Sequence, residues 1–300
     1  MYKAVLTSFI IGSCFLAAHE DPHDVIDTLT HRLEHATESK KADLYFQRAV
    51  EYRVSGQKHK AVADFLKYTK LEPKNYLGWL ELGKIYESKE RLHFLTKAAA
   101  LSETNDGKAK AYHALAESEY NTGDYIRALS FCELVIQLEE AKNITPLLFK
   151  AHLLWRLDKL EGRVNFLSSV KKIHKSVVLD RALIDAQIDA GRLKDVKPVI
   201  MKEMADSRFK SSWQIRAALC ESAGSEKSKD YAQAAIKEIL TRLNEKRPDI
   251  TLLMDLACAY SLIGEYEVAG RYLERAKHYE FSPWAMAELE QRVKTSPKLK

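Results

Sequence analysis

The stretch from Ile250 to Pro283 reads ITLLMDLACAYSLIGEYEVAGRYLERAKHYEFSP, 34 residues. Counted from Ile250, small residues fall at positions 8, 20 and 27 (Ala257, Ala269, Ala276), and a glycine, Gly264, sits at position 15. Leu253, Leu256 and Tyr260 before the glycine, and Tyr266 and Leu273 after it, follow helical spacing. The segment therefore reads as two helices, each with one apolar face, joined at a glycine turn. Antiparallel helices approach most closely where their side chains are smallest, which explains alanine at positions 8 and 20. Glycine at position 15 supplies the positive φ that ends the first helix.

The same frame recurs upstream. Ala42–Asn75 carries Tyr45, Ala49, Tyr52, Gly56, Ala61, Phe65 and Pro73, and Ala109–Lys142 carries Tyr112, Leu115, Ala116, Gly123, Tyr125 and Ala128. Gly56, Gly123 and Gly191 sit close to two such periods apart. Trp79-x-x-Leu82-Gly83-x-x-Tyr86 matches the first-helix signature of the tetratricopeptide repeat family outright, and the chain resembles that family over most of residues 42–283. The resemblance implies an all-α, right-handed α-solenoid of about seven helix-turn-helix hairpins. The clearest repeats are 42–75, 76–108, 109–142 and 250–283. The second hairpin's second helix (Arg91–Leu101) arrives early, the fourth has Asp158 where glycine is expected, and the fifth carries Pro198 in its second half. The sixth bears an insertion, Ser225–Lys229. Residues 19–41 hold a histidine-rich head and an N-terminal capping helix, with Asp24 as N-cap and Val25, Ile26, Leu29 and Leu33 as its apolar face. Residues 284–300 hold a C-terminal helix, Trp284–Val293, expected to cover the last hairpin, and a tail.

Residues 1–18, MYKAVLTSFIIGSCFLAA, have the form of a secretory signal: Lys3, an apolar run, then the small pair Ala17-Ala18 before His19-Glu20-Asp21. The run is shorter than the roughly 20 residues a spanning helix needs, and no later segment is apolar enough to cross a bilayer. An exported protein, periplasmic or secreted and similar to exported bacterial members of the family, is the expectation. Ile11-Gly12-Ser13-Cys14 also resembles a lipobox, so a lipid anchor at Cys14 is the competing reading. Against it, the apolar run continues through Phe15-Leu16. The remaining Cys132, Cys220 and Cys258 are widely spaced inside helical apolar patterns, as buried structural thiols are.

Composition narrows function. Only 11 glycines and 7 prolines occur in 300 residues, too few for the turns of a sandwich or barrel. The +5 net charge is spread among interleaved Lys and Glu, with no basic stripe for a phosphate backbone, which excludes a nucleic-acid binder. No P-loop, Gly-rich dinucleotide turn or GxSxG elbow is present, and no cofactor is implied. His19-Glu20-Asp21-Pro22-His23 formally matches HExxH, but Pro22 removes an N–H that a helix interior needs. Cleavage after Ala18 would instead expose the amine and imidazole of His19 to copper, with His23 in support. Metal handling is thus the alternative function. Arg181, Asp185 and Asp189, four apart, form a ladder expected to line an open groove rather than to do acid/base work.

In the resembled family the concave wall is lined by first-helix positions 2, 5, 9, 12 and 13. Carried over, these give Arg53, Lys84, Lys110, His113, Glu117, Tyr120, His152, Trp155, Arg156, Arg181, Asp185, Asp189 and Gln214 as the candidate partner-binding groove. Phe46 and Val50 stand at the first repeat's positions 5 and 9, where a carboxylate clamp needs polar residues. The resulting expectation is a non-enzymatic scaffold that binds a protein or peptide through this wall, with Trp155 beside Arg156 as a hot spot.

Overall fold

The computed structural model describes residues 22–279 and 283–294, which form sixteen α-helices; no strand occurs among the described residues. The architecture is an all-α helical repeat solenoid. The leader at 1–18, Cys14 and His19 lie outside the described residues. The chain divides into two compact units, Met1–Ala114 and Leu115–Lys300.

The first unit opens with α1 (Pro22–Glu34), packed on the hairpin of α2 (Glu38–Val54) and α3 (Lys58–Leu71). A second hairpin, α4 (Tyr76–Ile85) and α5 (Ser88–Leu101), follows, and then α6 (Asn105–Thr122), within which the division falls. Asp24 lies inside the first turn of α1 rather than capping it, because the helix already starts at Pro22, a residue suited to a position whose N–H needs no partner. The expected apolar face is buried: Ile26 joins Ala49, Tyr52, Ala61, Phe65 and Leu82 in one core, while Leu29 and Leu33 pack with Leu44. No glycine separates α4 from α5. The chain turns in the extended pair Tyr86-Glu87 instead, so α5 starts early, at Ser88.

Five helix pairs occupy the second unit. The remainder of α6 pairs with α7 (Tyr125–Leu138), α8 (Ile144–Arg156) with α9 (Leu160–Ile173), and α10 (Val177–Asp189) with α11 (Leu193–Asp206), which continues through Pro198. After them come α12 (Ser211–Leu219) with α13 (Glu226–Arg242), α14 (Ile250–Leu262) with α15 (Tyr266–Lys277), and the closing helix α16 (Pro283–Lys294). Side-chain caps fix several starts: Asp124, Asn143, Ser225 and Asp249 each accept a backbone N–H of the helix they precede. Because Ser225 is a cap, the supposed insertion Ser225–Lys229 is the cap and first turn of a lengthened α13. At the fourth hairpin Asp158 itself adopts φ 54°, doing the work that Gly264 (φ 88°) does in the seventh. The alanines of positions 8 and 20 are sealed: Ala257 and Ala269 are both 0% exposed.

Candidate functional site

First helices α8, α10, α12 and α14 touch in sequence, so the second unit presents one continuous wall of first helices. Along it lies α16, which contacts α14 and α15, as a cap should, but also α8. Met286, Leu289 and Val293 join the core built on Leu253, Leu256 and Ala257. Trp284 turns to another core, with Phe149 and Leu153 of α8 and Ala116 of α6. Its ring lies 5.1 Å from Phe149 and 5.7 Å from His152, whose other neighbours are Tyr120 at 5.4 Å and Trp155 at 5.2 Å.

A chain of charged groups runs beside these rings. His152, 2% exposed, meets Tyr120 Oη through Nε2 at 3.0 Å and Glu288 Oε1 through Nδ1 at 3.1 Å. An ionised carboxylate only accepts, so Nδ1 carries the proton and, in the neutral ring, the Tyr120 hydroxyl donates to Nε2. Arg163, 3% exposed on α9, donates through Nη2 to both Glu288 oxygens (2.8 and 3.0 Å) and through Nη1 to Asp189 Oδ2 (2.8 Å). Arg292 donates to the other Asp189 oxygen at 2.7 Å. Burial alone would raise the Glu288 carboxyl, but the His152 hydrogen bond and the Arg163 charge outweigh it and hold the group at about 2. Burial pushes Asp189 up, with Arg292 and Arg163 opposing.

The open Arg181–Asp185–Asp189 ladder is therefore corrected. Asp189 is enclosed by Arg163 and Arg292, and Asp185 accepts from Arg216 at 2.6 Å. Arg181 lies 5.9 Å from the centre of the Trp213 ring, its Nε buried without a hydrogen bond. The spacing of four put the three residues on one face correctly, but opposite charges on neighbouring elements offered closer partners. Gln214 is half-buried nearby. Arg156 is exposed and bonds Tyr125 Oη, with its guanidinium 4.5 Å from the Tyr125 ring centre. Burial pushes Asp255, which faces Arg216, Arg181, Asp185 and Asp249, up to about 6.

The first unit has a different face. Arg53 and Lys84 are exposed and bracket Glu81, at 3.3 and 2.6 Å. Lys110 pairs along its own helix with Asp106 at 2.6 Å, and His113 is half-buried. Between α1 and α2 opens a cleft of about 480 Å³, with apolar Val25, Leu29, Phe46 and Val50 beside polar Arg32, Gln47 and Glu51. Groove residues Phe46 and Val50 thus help form a recess.

Sequence reasoning missed Arg163, Glu288, Arg292 and Asp255. One signal was available: Trp284, Glu288 and Arg292 are spaced by four, a second stripe beside the apolar face of a helix expected only to cap. The three cysteines among the described residues are buried thiols; burial pushes Cys132 up to about 12 and Cys258 up to about 11, so neither is a nucleophile at neutral pH. Among the described residues no group of three or more His, Cys, Asp or Glu side chains could hold a metal.

A solenoid of helical hairpins with a charged and aromatic first-helix wall defines a repeat protein of the interaction-scaffold class. The chain is a tetratricopeptide repeat protein: that family's repeat model matches residues 42–75. Its fold is shared with a tetratricopeptide repeat protein from Parabacteroides merdae (TM-score 0.51, 14% identity, covering 85% of this chain and 99% of that one). It is shared also with yeast Tom70 (TM-score 0.50, 13% identity, 92% of this chain), of whose structure it spans 58%. No curated protein matches the sequence.

Proposed function

We propose that the chain is an exported, non-enzymatic scaffold that binds a protein or peptide partner through its first-helix surfaces. The observation that carries the reading is the face of the first unit. An apolar recess of about 480 Å³ lies on the first helix that also carries Arg53, with Lys84 on the next first helix. Such a recess accepts one or two large apolar side chains, while an exposed charged surround orients a partner and excludes mismatched ones. Export rests on Lys3 and the apolar run to Ala18, and no helix among the described residues is long and apolar enough to cross a membrane.

The test is affinity capture from an envelope fraction with the wild-type chain, Val50→Glu and Arg53→Glu. All three should show equal helicity by circular dichroism, and both variants should lose most of the captured partner. Equal capture by all three overturns the assignment of the face. Mass spectrometry of the recovered chain should find a start at or near His19; an intact Met1 overturns export, and a lipidated Cys14 substitutes the anchored form.

A further inference from the structure

We infer that α16 is an internal occupant of the second unit's wall, and that the wall's ligand in trans is an amphipathic helix of the same signature. That signature is an aromatic side chain, a carboxylate four residues on and a guanidinium four further. The inference rests on the scaffold reading and gives it a second, more specific surface.

Capping the last hairpin requires only that α16 bury apolar side chains on α14 and α15, and Met286, Leu289 and Val293 do so. The side chains of Trp284, Glu288 and Arg292 serve a different contact, although the Arg292 carbonyl accepts from Ser261 Oγ of α14. They reach back more than a hundred residues in sequence: Glu288 to His152 and Arg163, Arg292 to Asp189. Spaced i, i+4, i+8, the three anchors share one face of α16 and meet successive parts of the wall. Trp284 enters the rings of Phe149 and His152, Glu288 takes the donors of His152 and Arg163, and Arg292 takes the acceptor Asp189. Donors followed by an acceptor along the wall match carboxylate-then-guanidinium in one direction only, so the wall reads helix polarity as well as composition.

Shielded ion pairs of this kind give register and selectivity more than stability, since well-packed apolar residues stabilise at least as well. Carried on a helix that follows the seventh hairpin and reaches back to α8 and α10, they occupy the wall as a ligand held in cis would. The fit is also incomplete: the Trp284 indole N–H is buried without an acceptor. A competitor can therefore match α16 without reproducing every contact it makes.

The experiment uses the full chain and a fluorescein-labelled peptide of residues 280–297, read by fluorescence anisotropy. In full-length Glu288→Arg, a guanidinium facing Arg163 dislodges α16, and the native peptide should bind at least tenfold more tightly than to wild type, where α16 competes. The same peptide carrying Glu288→Arg should not bind. Full-length Trp284→Ala provides a second opened form should Glu288→Arg lose helicity. Equal binding of native and charge-reversed peptides, or no binding to an opened chain of native helicity, overturns the inference. A concentration-dependent dimer exchanging α16 between copies assigns the wall to a second copy and overturns the trans ligand too. Failure here with capture through the Arg53 face intact refutes this inference alone, whereas loss of that face's role leaves the peptide result standing.

Discussion

In the first unit, the first-helix cations Arg53 and Lys84 face water while flanking the buried Glu81. In the second unit, charge on the same first-helix face lies under α16: Asp189 of α10, with a side-chain exposure of 16%, is held between Arg292 of α16 and the buried Arg163 of α9. Repeat position determines where a side chain points in both units. What it does is decided by what lies opposite. Solvated, an ion pair contributes little, because water screens the attraction and already solvates both partners well. Enclosed, the same pair is worth little net yet is costly to break, since removing one member strands the other without water.

Breaking that contrast gives the largest effect. Arg163→Ala should cost roughly 3–5 kcal/mol by urea unfolding, because it leaves Glu288 and Asp189 as shielded carboxylates short of a partner. Arg53→Ala should stay within about 1 kcal/mol. Similar losses in the two variants would mean that α16 does not shield the wall.

Acid should loosen the second unit selectively. The Glu288 carboxyl, ordinarily near 4.5, sits at about 2 in the fold, facing His152 of α8, Arg163 of α9 and, beyond Arg163, Asp189 of α10 and Arg292. A depressed carboxyl contributes stability that is complete above its unfolded value and is lost as pH falls towards 2. The contribution at stake is roughly 3 kcal/mol. Glu288→Gln should therefore be less stable than wild type at pH 6 and nearly level with it at pH 2.5. A constant difference across that range would remove Glu288 as the titrating group.

Asp255 sharpens the comparison from the other side, since its shift has the opposite sign. Its folded value, about 6, lies above the ordinary 3.8, so the ionised form is penalised and stability is lost as pH rises through 6. Asp255→Asn should stabilise the chain by about 3 kcal/mol at pH 7.5 and make almost no difference at pH 4. Thermal melts at the two values measure this, and an equal gain at both would point to packing rather than charge.

The sequence carried the fold because its information is local. Alanines at positions 8 and 20 mark helix crossings, and Ala49, Ala61, Ala257 and Ala269 are each 0% exposed. The same spacing put Tyr120, His152 and Trp155 near one another, but His152, expected on an open groove, is buried between the other two rings. The destination of α16 was not legible. Nothing in a 34-residue period says that Glu288 pairs with Arg163, 125 residues earlier. That pairing depends on how the intervening hairpins accumulate, which no single repeat encodes. Asp255 was missed likewise: its raised carboxyl comes from burial among neighbouring hairpins, which Arg216 and Arg181 only partly offset.

The smallest effect concerns the fourth hairpin, whose turn departs from the glycine rule. Asp158 holds φ 54° where Gly264 serves the seventh hairpin at φ 88°. A β-carbon in the left-handed region is penalised by about 1–2 kcal/mol, less for aspartate, whose short side chain bonds locally. Glycine would remove that strain but enlarge the unfolded ensemble, an opposing cost of about 0.4–1 kcal/mol. Asp158→Gly should therefore gain only about 0.5 kcal/mol, whereas Asp158→Ala, which keeps the β-carbon without aspartate's tolerance of that region, should lose about 1 kcal/mol. Urea midpoints ordered Gly above Asp above Ala support the turn assignment. An alanine variant as stable as the glycine one would show that the backbone there relaxes out of the left-handed region, so that the fourth hairpin closes by a different turn from the seventh.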